Sequence, residues 1–143
     1  MRATYVWLSR LIAIGVVLQA MFIAFGMFDI IKAVDDGKAY TSDAYNAGQS
    51  LHSIFGSIII PLLALILLII SFFAGIPGGT KWAAITFGLV ALQFALAAVS
   101  FGVPFIGLLH GLNAFALAAV AGIAGRRAQT ATPRARPEAV TPA

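Results

Sequence analysis

Apolar residues are concentrated in four long runs, separated by short polar or glycine-containing segments. The runs cover residues 11–31, 51–73, 83–101 and 104–124. A helix that crosses the hydrocarbon core of a bilayer needs about 20 apolar residues, and each run is long enough. Because the connections are short, consecutive helices should pack as antiparallel hairpins. The pattern therefore predicts an all-α bundle of four transmembrane helices, running up, down, up and down.

The segments outside these runs predict three parts of the chain. Residues 1–10 combine aromatic and basic side chains, which favour the headgroup region, so we expect an interfacial N-terminal segment. Residues 11–127 form the four-helix membrane domain. Residues 128–143 contain three Pro, three Thr and no aromatic residue. Such a segment buries too little apolar surface to become ordered, and we expect a disordered tail.

Charged residues make up only 10% of the chain, against roughly 25% in soluble domains. This deficit excludes a water-soluble surface and makes the lipid bilayer the expected surroundings. The net charge of +4 does not indicate a nucleic-acid partner, because the basic residues lie at the ends of the runs and form no basic stripe.

The charges are distributed unequally between the two sides of the predicted bundle. Lys and Arg accumulate in cytoplasmic loops, so the side that carries most of them should face the cytoplasm. That side holds Arg2, Arg10, Lys81, Arg126, Arg127, Arg134 and Arg136. The opposite side holds Lys32, Lys38, Asp29, Asp35, Asp36 and Asp43. We therefore expect a multi-pass protein of the bacterial plasma membrane with both termini in the cytoplasm.

His52 and His110 are the only histidines, and the chain has no cysteine. Ionisable side chains inside a membrane are costly and mark candidate functional sites. Both histidines lie toward the outer side, on the second and fourth helices. If the second helix starts at residue 51, the two differ in depth by roughly 8 Å. A start near Ala47 would bring them to a similar depth.

Two histidines without further protein ligands suit a haem iron better than other metal centres. Zinc normally needs three or four protein ligands, whereas haem supplies four nitrogens and needs two axial ligands. We therefore predict a b-type haem between the second and fourth helices, held by His52 and His110 through the haem iron. Its role would be electron transfer or haem handling, with no catalytic residue assigned. The predicted pocket residues are Gly56, Ala114, Gln19, Gln93 and Asn113.

A second interpretation needs no cofactor. Each histidine would hydrogen-bond to a neighbouring helix, with Asn113, Gln19 or Gln93 as its partner, as polar side chains in membranes commonly do. The protein would then be an accessory or structural subunit of a larger membrane complex, or a homo-oligomer. A proton relay and a quinone-type ligand are further alternatives. Gly107 and Gly111 bracket His110 in a pattern that indicates close helix packing.

The two halves of the chain show a faint internal repeat. Val17-Leu18-Gln19 resembles Ala91-Leu92-Gln93, and Leu51-His52 resembles Leu109-His110. Leu and Ala are common enough here that chance matches arise easily. If the repeat is real, each half is a hairpin in which a helix with a glutamine precedes a helix with a histidine.

Residues 11–127 resemble a family of small bacterial four-helix membrane proteins of unknown function, through the sequences around His52, Gln93 and His110. More remotely, the plan resembles one half of haem A synthase. In that family each half has cytoplasmic termini and a histidine on its second and fourth helices at the outer side. The resemblance implies haem binding at His52 and His110. The catalytic Glu that precedes the second-helix histidine is replaced here by Gly48-Gln49-Ser50, so no catalysis is implied.

Overall fold

A computed structural model describes residues 1–41 and 45–131, and its regular elements in these residues are all helical. The four helices are α1 (Arg2–Asp35), α2 (Ala47–Ser71), α3 (Gly79–Gly102) and α4 (Pro104–Thr130). Each is long and apolar enough to cross a membrane. The predicted all-α class is therefore confirmed, together with four helices of the length and composition that a membrane span requires.

Helix boundaries differ from the predicted segments at three places. Residues 2–10 are the first turns of α1, continuous with the predicted span, and their place at the membrane interface stays a prediction. Helix α4 extends to Thr130, and most of the predicted tail lies outside the described residues. Helix α2 starts at Ala47 because Asn46 and Gln49 form a capping box, in which each side chain accepts the other residue's backbone N–H.

The helices pack as a ring in which α1 contacts α2 and α4, and α3 contacts the same two helices. Helices α2 and α4 therefore lie on one diagonal. The Tyr5 hydroxyl donates to the Gly79 carbonyl at 2.8 Å, and Arg2 Nε donates to the Ala128 carbonyl at 2.7 Å. These bonds bring the starts of α1 and α3 and the end of α4 together.

The two ends of the bundle differ in charge. We call one the basic end, where the described residues include Arg2, Arg10, Lys81, Arg126 and Arg127. The other is the acidic end, where they include Asp29, Asp35 and Asp36. Every carboxylate side chain among the described residues lies at the acidic end.

The buried core is confined mainly to the half of the bundle near the basic end. Its side chains include Tyr5, Ile12, Val16, Ile60, Ala64, Leu67, Ala83, Val90, Leu117, Ala121 and Ala124. Toward the acidic end, Gly26 and Gly48 are the only buried residues among the described positions of 20–59, and residues 91–112 contain none. In that half the α1–α2 and α3–α4 hairpins bury little side-chain surface against each other.

A π-helical turn, Phe55–Ile59, interrupts α2 just after His52. Within it the Ile60 N–H bonds the Phe55 carbonyl, five residues back. Pro61 follows directly and has no N–H to donate, so the regular hydrogen-bond ladder is broken at this point in any case. Such turns occur frequently at functional sites.

Candidate functional site

The two histidines meet across the diagonal of the bundle. The ring centroids of His52 and His110 lie 6.4 Å apart, with an interplanar angle of 61°. Both residues are half-buried. Helix α2 starts at Ala47, so the depth offset that a start at residue 51 would impose is absent. The structure thus brings together the two residues on which the haem prediction depends.

Each imidazole is held by a backbone carbonyl of the preceding helix. His52 Nδ1 lies 3.1 Å from the Gln19 carbonyl, and His110 Nδ1 lies 3.2 Å from the Gln93 carbonyl. Because a carbonyl only accepts, a neutral ring in either position carries its proton on Nδ1. The lone pair then lies on Nε2, where it is available to a metal. Histidines that ligate metals almost always donate their other N–H in this way.

The donor set fits an axial pair better than a bare metal ion. Among the described residues no group of three or more His, Cys, Asp or Glu side chains lies close together. A metal bound to both rings, at about 2 Å from each nitrogen, places the ring centroids roughly 6 to 6.5 Å apart. The observed separation of 6.4 Å lies within this range.

In the α3–α4 hairpin, the predicted pocket residues Gln93 and Asn113 bond to each other. Gln93 Nε2 donates to the His110 carbonyl at 2.9 Å. Asn113 Nδ2 donates to Gln93 Oε1 at 2.5 Å and to the Leu89 carbonyl at 2.9 Å. The Gln93 side chain is therefore occupied on both its polar atoms. This network fixes α3 against α4 beneath His110.

In the α1–α2 hairpin, the corresponding glutamine has no such partner. Gln19 is 8% exposed, and neither of its side-chain polar atoms bonds to any described residue. Phe55 stands three residues after His52, where Asn113 stands three residues after His110. A buried amide without a partner costs about 1–3 kcal/mol. Gln19 is thus a buried polar group positioned next to His52 with its hydrogen-bonding capacity unused.

Gly56 and Ala114 each lie one turn beyond a histidine, and their surroundings differ. A Cβ placed on Gly56 would lie 3.2 Å from Gln19 Nε2, so the glycine gives the Gln19 amide its room. Ala114 packs against the core of the bundle. The predicted pocket residues therefore form two groups. In the α1–α2 hairpin, Gly56 lies beside the Gln19 amide, which has no described partner. In the α3–α4 hairpin, Gln93 and Asn113 are hydrogen-bonded to each other.

Within the described residues, no helix packs closely against Gly107 or Gly111. A Cβ on Gly111 would meet no described atom within 4 Å, and one on Gly107 only the Ser100 hydroxyl at 3.9 Å. Close approach occurs instead between Gly26 and Gly48, where a Cβ on Gly48 would lie 2.4 Å from the Gly26 nitrogen. The sequence analysis missed this pair, although both glycines lie near the ends of apolar runs where helices of a hairpin meet.

Comparison with known protein families gives a match over part of the chain. Residues 44–100 match a profile described as a family of unknown function (DUF6220). The matched segment includes His52 and Gln93, and it ends before His110. No curated protein and no solved structure matches the chain. The match supports a likeness to an uncharacterised family, and none of the comparisons supports the resemblance to haem A synthase.

Proposed function

We propose that the chain binds one b-type haem between α2 and α4, with His52 and His110 as its axial ligands. The observation that carries the proposal is the pairing of the rings at 6.4 Å, each held through Nδ1 by a backbone carbonyl. Both imidazoles are thereby pre-oriented in the tautomer that leaves Nε2 free.

A haem with two protein ligands supplies a one-electron centre and leaves no open coordination position. We therefore propose electron transfer or haem handling as the role. The residues of the chain would hold the ligands and exclude water. Gln19 and Gln93 orient the rings through their carbonyls, and the surrounding apolar spans keep the site dry.

We further propose that the protein lies in the bacterial plasma membrane with its basic end in the cytoplasm, which places the histidines in the outer half. The absence of natural cysteines makes this testable. A thiol reagent that does not cross membranes should label Lys38→Cys in intact cells. It should label Lys81→Cys only after the cells are permeabilised. The reverse pattern would overturn the orientation.

The function is tested by purifying the protein in mild detergent from haem-replete cells and recording its reduced-minus-oxidised visible spectrum. We expect a b-type α-band that is lost in both His52→Ala and His110→Ala. Leu108→Ala, two residues before His110 and at a position that is 65% exposed, is the matched control and should retain the band. A colourless wild-type protein, prepared where a known membrane cytochrome fills normally, would refute haem binding.

A second candidate function is an accessory or structural subunit without a cofactor. The observation that favours it is that both histidines already link neighbouring helices through hydrogen bonds. Each such bond stabilises a membrane helix pair by about 1 kcal/mol. In that case the protein would be colourless and would co-purify in fixed ratio with other membrane subunits. The two proposals therefore predict opposite spectra from the same preparation.

A further inference from the structure

A groove lies at the basic end of the bundle, and the histidines lie toward the opposite end. Here the first turns of α1 and the end of α4 line an open, shallow surface groove of about 560 Å³. The groove is lined by Arg2, Ala3, Val6, Trp7, Arg10 and Gln129. Two of its six residues are arginines, in a chain in which charged residues are rare.

The two arginines give the groove a positive charge that no described carboxylate neutralises. The guanidinium of Arg10 lies over the Trp7 ring, 5.3 Å from its centroid. The guanidinium of Arg2 is fixed by the carbonyls of Ala128, Gln129 and Ala131 at the end of α4. Arginine carries five N–H donors in a planar fork that matches phosphate oxygens. Because Nε and Nη2 of Arg2 donate to those carbonyls, an anion in this groove would meet the Nη1 donors of Arg2 and the Arg10 guanidinium stacked on Trp7.

A second, apolar groove lies further along α1. It has a volume of about 150 Å³ and lies between α1 and α2, where Leu11, Ile14, Leu18 and Ile59 are among its lining residues. Trp7, Leu11, Ile14 and Leu18 follow at helical spacing and so share one side of α1. Trp7 lines the first groove and the other three residues line the second, so this side of α1 borders both grooves. A molecule with an anionic head and a hydrocarbon chain would match this sequence of surfaces.

We propose that the two grooves form a binding site for an anionic phospholipid, with its phosphate at Arg2 and Arg10 and an acyl chain along Leu11, Ile14 and Leu18. Tryptophan and arginine are residues that favour the headgroup level of a membrane. Basic pockets between transmembrane helices bind anionic headgroups by this chemistry. The proposal is independent of haem, because the site shares no residue with the histidine pair.

Native mass spectrometry of the full chain tests the site, with phosphatidylglycerol and phosphatidylcholine of equal acyl length as probes. We expect retention of phosphatidylglycerol but not phosphatidylcholine. Arg10→Gln should lower that retention about fivefold, as expected for one basic residue near a headgroup. Arg126→Gln is the matched control, since Arg126 is exposed at the same end and outside the groove, and it should bind as wild type does.

A second variant tests the apolar part of the site. Ile14→Trp should narrow the groove and lower retention while leaving Arg10 in place. Equal retention of both lipids would overturn the proposal, as would an equal loss in Arg126→Gln and Arg10→Gln. Displacement of phosphatidylglycerol by inorganic phosphate at equimolar concentration would overturn the lipid assignment, because it would show that the acyl chain contributes nothing.

Discussion

The two hairpins hold their histidines in the same way, but the side chains of their glutamines differ in hydrogen bonding. In both, a histidine on the second helix bonds through Nδ1 to the carbonyl of a glutamine on the first helix. In the α3–α4 hairpin the glutamine side chain is then saturated by Asn113 and the His110 carbonyl. In the α1–α2 hairpin the Gln19 side chain has no described partner, because Phe55 occupies the position that corresponds to Asn113.

The groups that orient the histidines are therefore different from the groups that stabilise each hairpin. Orientation comes from the backbone carbonyls and is common to both halves. Below its histidine, the α3–α4 hairpin is linked by the side-chain amides of Gln93 and Asn113. The α1–α2 hairpin is instead joined nearer the acidic end, by the close contact between Gly26 and Gly48 and by the bond from Asn46 Nδ2 to the Gly26 carbonyl. The α1–α2 hairpin therefore keeps an unused polar group beside its histidine, and the α3–α4 hairpin does not.

The largest effect on stability should come from Gly48→Ala. Its new Cβ would lie 2.4 Å from the Gly26 nitrogen and 2.6 Å from the Phe22 carbonyl oxygen, so backbone must move. We expect a loss of about 3 kcal/mol, at the upper end for overpacking, seen as a lower unfolding temperature in detergent.

Gly111→Ala is the matched change in the other hairpin, where a Cβ meets no described atom within 4 Å. It should leave the unfolding temperature of the haem-free protein unchanged or raise it slightly, since alanine is the better helix former. Equal destabilisation by both substitutions would show that the hairpins do not differ in this way.

A smaller effect should distinguish the two glutamines. Gln93→Leu removes the bonds that the Gln93 side chain makes with Asn113 and with the His110 carbonyl and should cost about 1–2 kcal/mol. Gln19→Leu removes two buried polar atoms that have no described partner, so its cost should be near zero or negative. The measurement is chemical unfolding of both variants in the same detergent. If Gln19→Leu costs as much as Gln93→Leu, the Gln19 side chain has a partner in the folded protein.

The smallest effect should come from Phe55→Asn, which places an amide in the α1–α2 hairpin where Asn113 lies in the other. If the halves are equivalent, the new side chain should bond to Gln19 and offset part of the lost apolar contact with Phe22, whose ring lies 5.3 Å away. We expect a net change within about 1 kcal/mol, and clear rescue relative to Phe55→Ala. Identical unfolding curves for Phe55→Asn and Phe55→Ala would show that position 55 is not equivalent to position 113 of the other hairpin.

Much of the fold follows from the sequence because membrane spans are set by length and hydropathy. The start of α2 at Ala47 was also readable, since Asn46 and Gln49 have the spacing of a capping box. The contact between Gly26 and Gly48 could not be predicted from the sequence, because it depends on how two helices cross. The pairing of His52 with His110 was predicted as a shared site, while the carbonyl partners depend on backbone positions that sequence patterns do not specify.

The central claim is that a single iron joins His52 to His110. Electron paramagnetic resonance of the oxidised, purified protein at one haem per chain tests it most directly. We predict a low-spin signal in the wild type, because two imidazoles complete six-coordination. Either His52→Ala or His110→Ala should abolish that signal entirely, since each leaves the iron with at most one protein ligand. A low-spin signal that persists in either variant would contradict the claim.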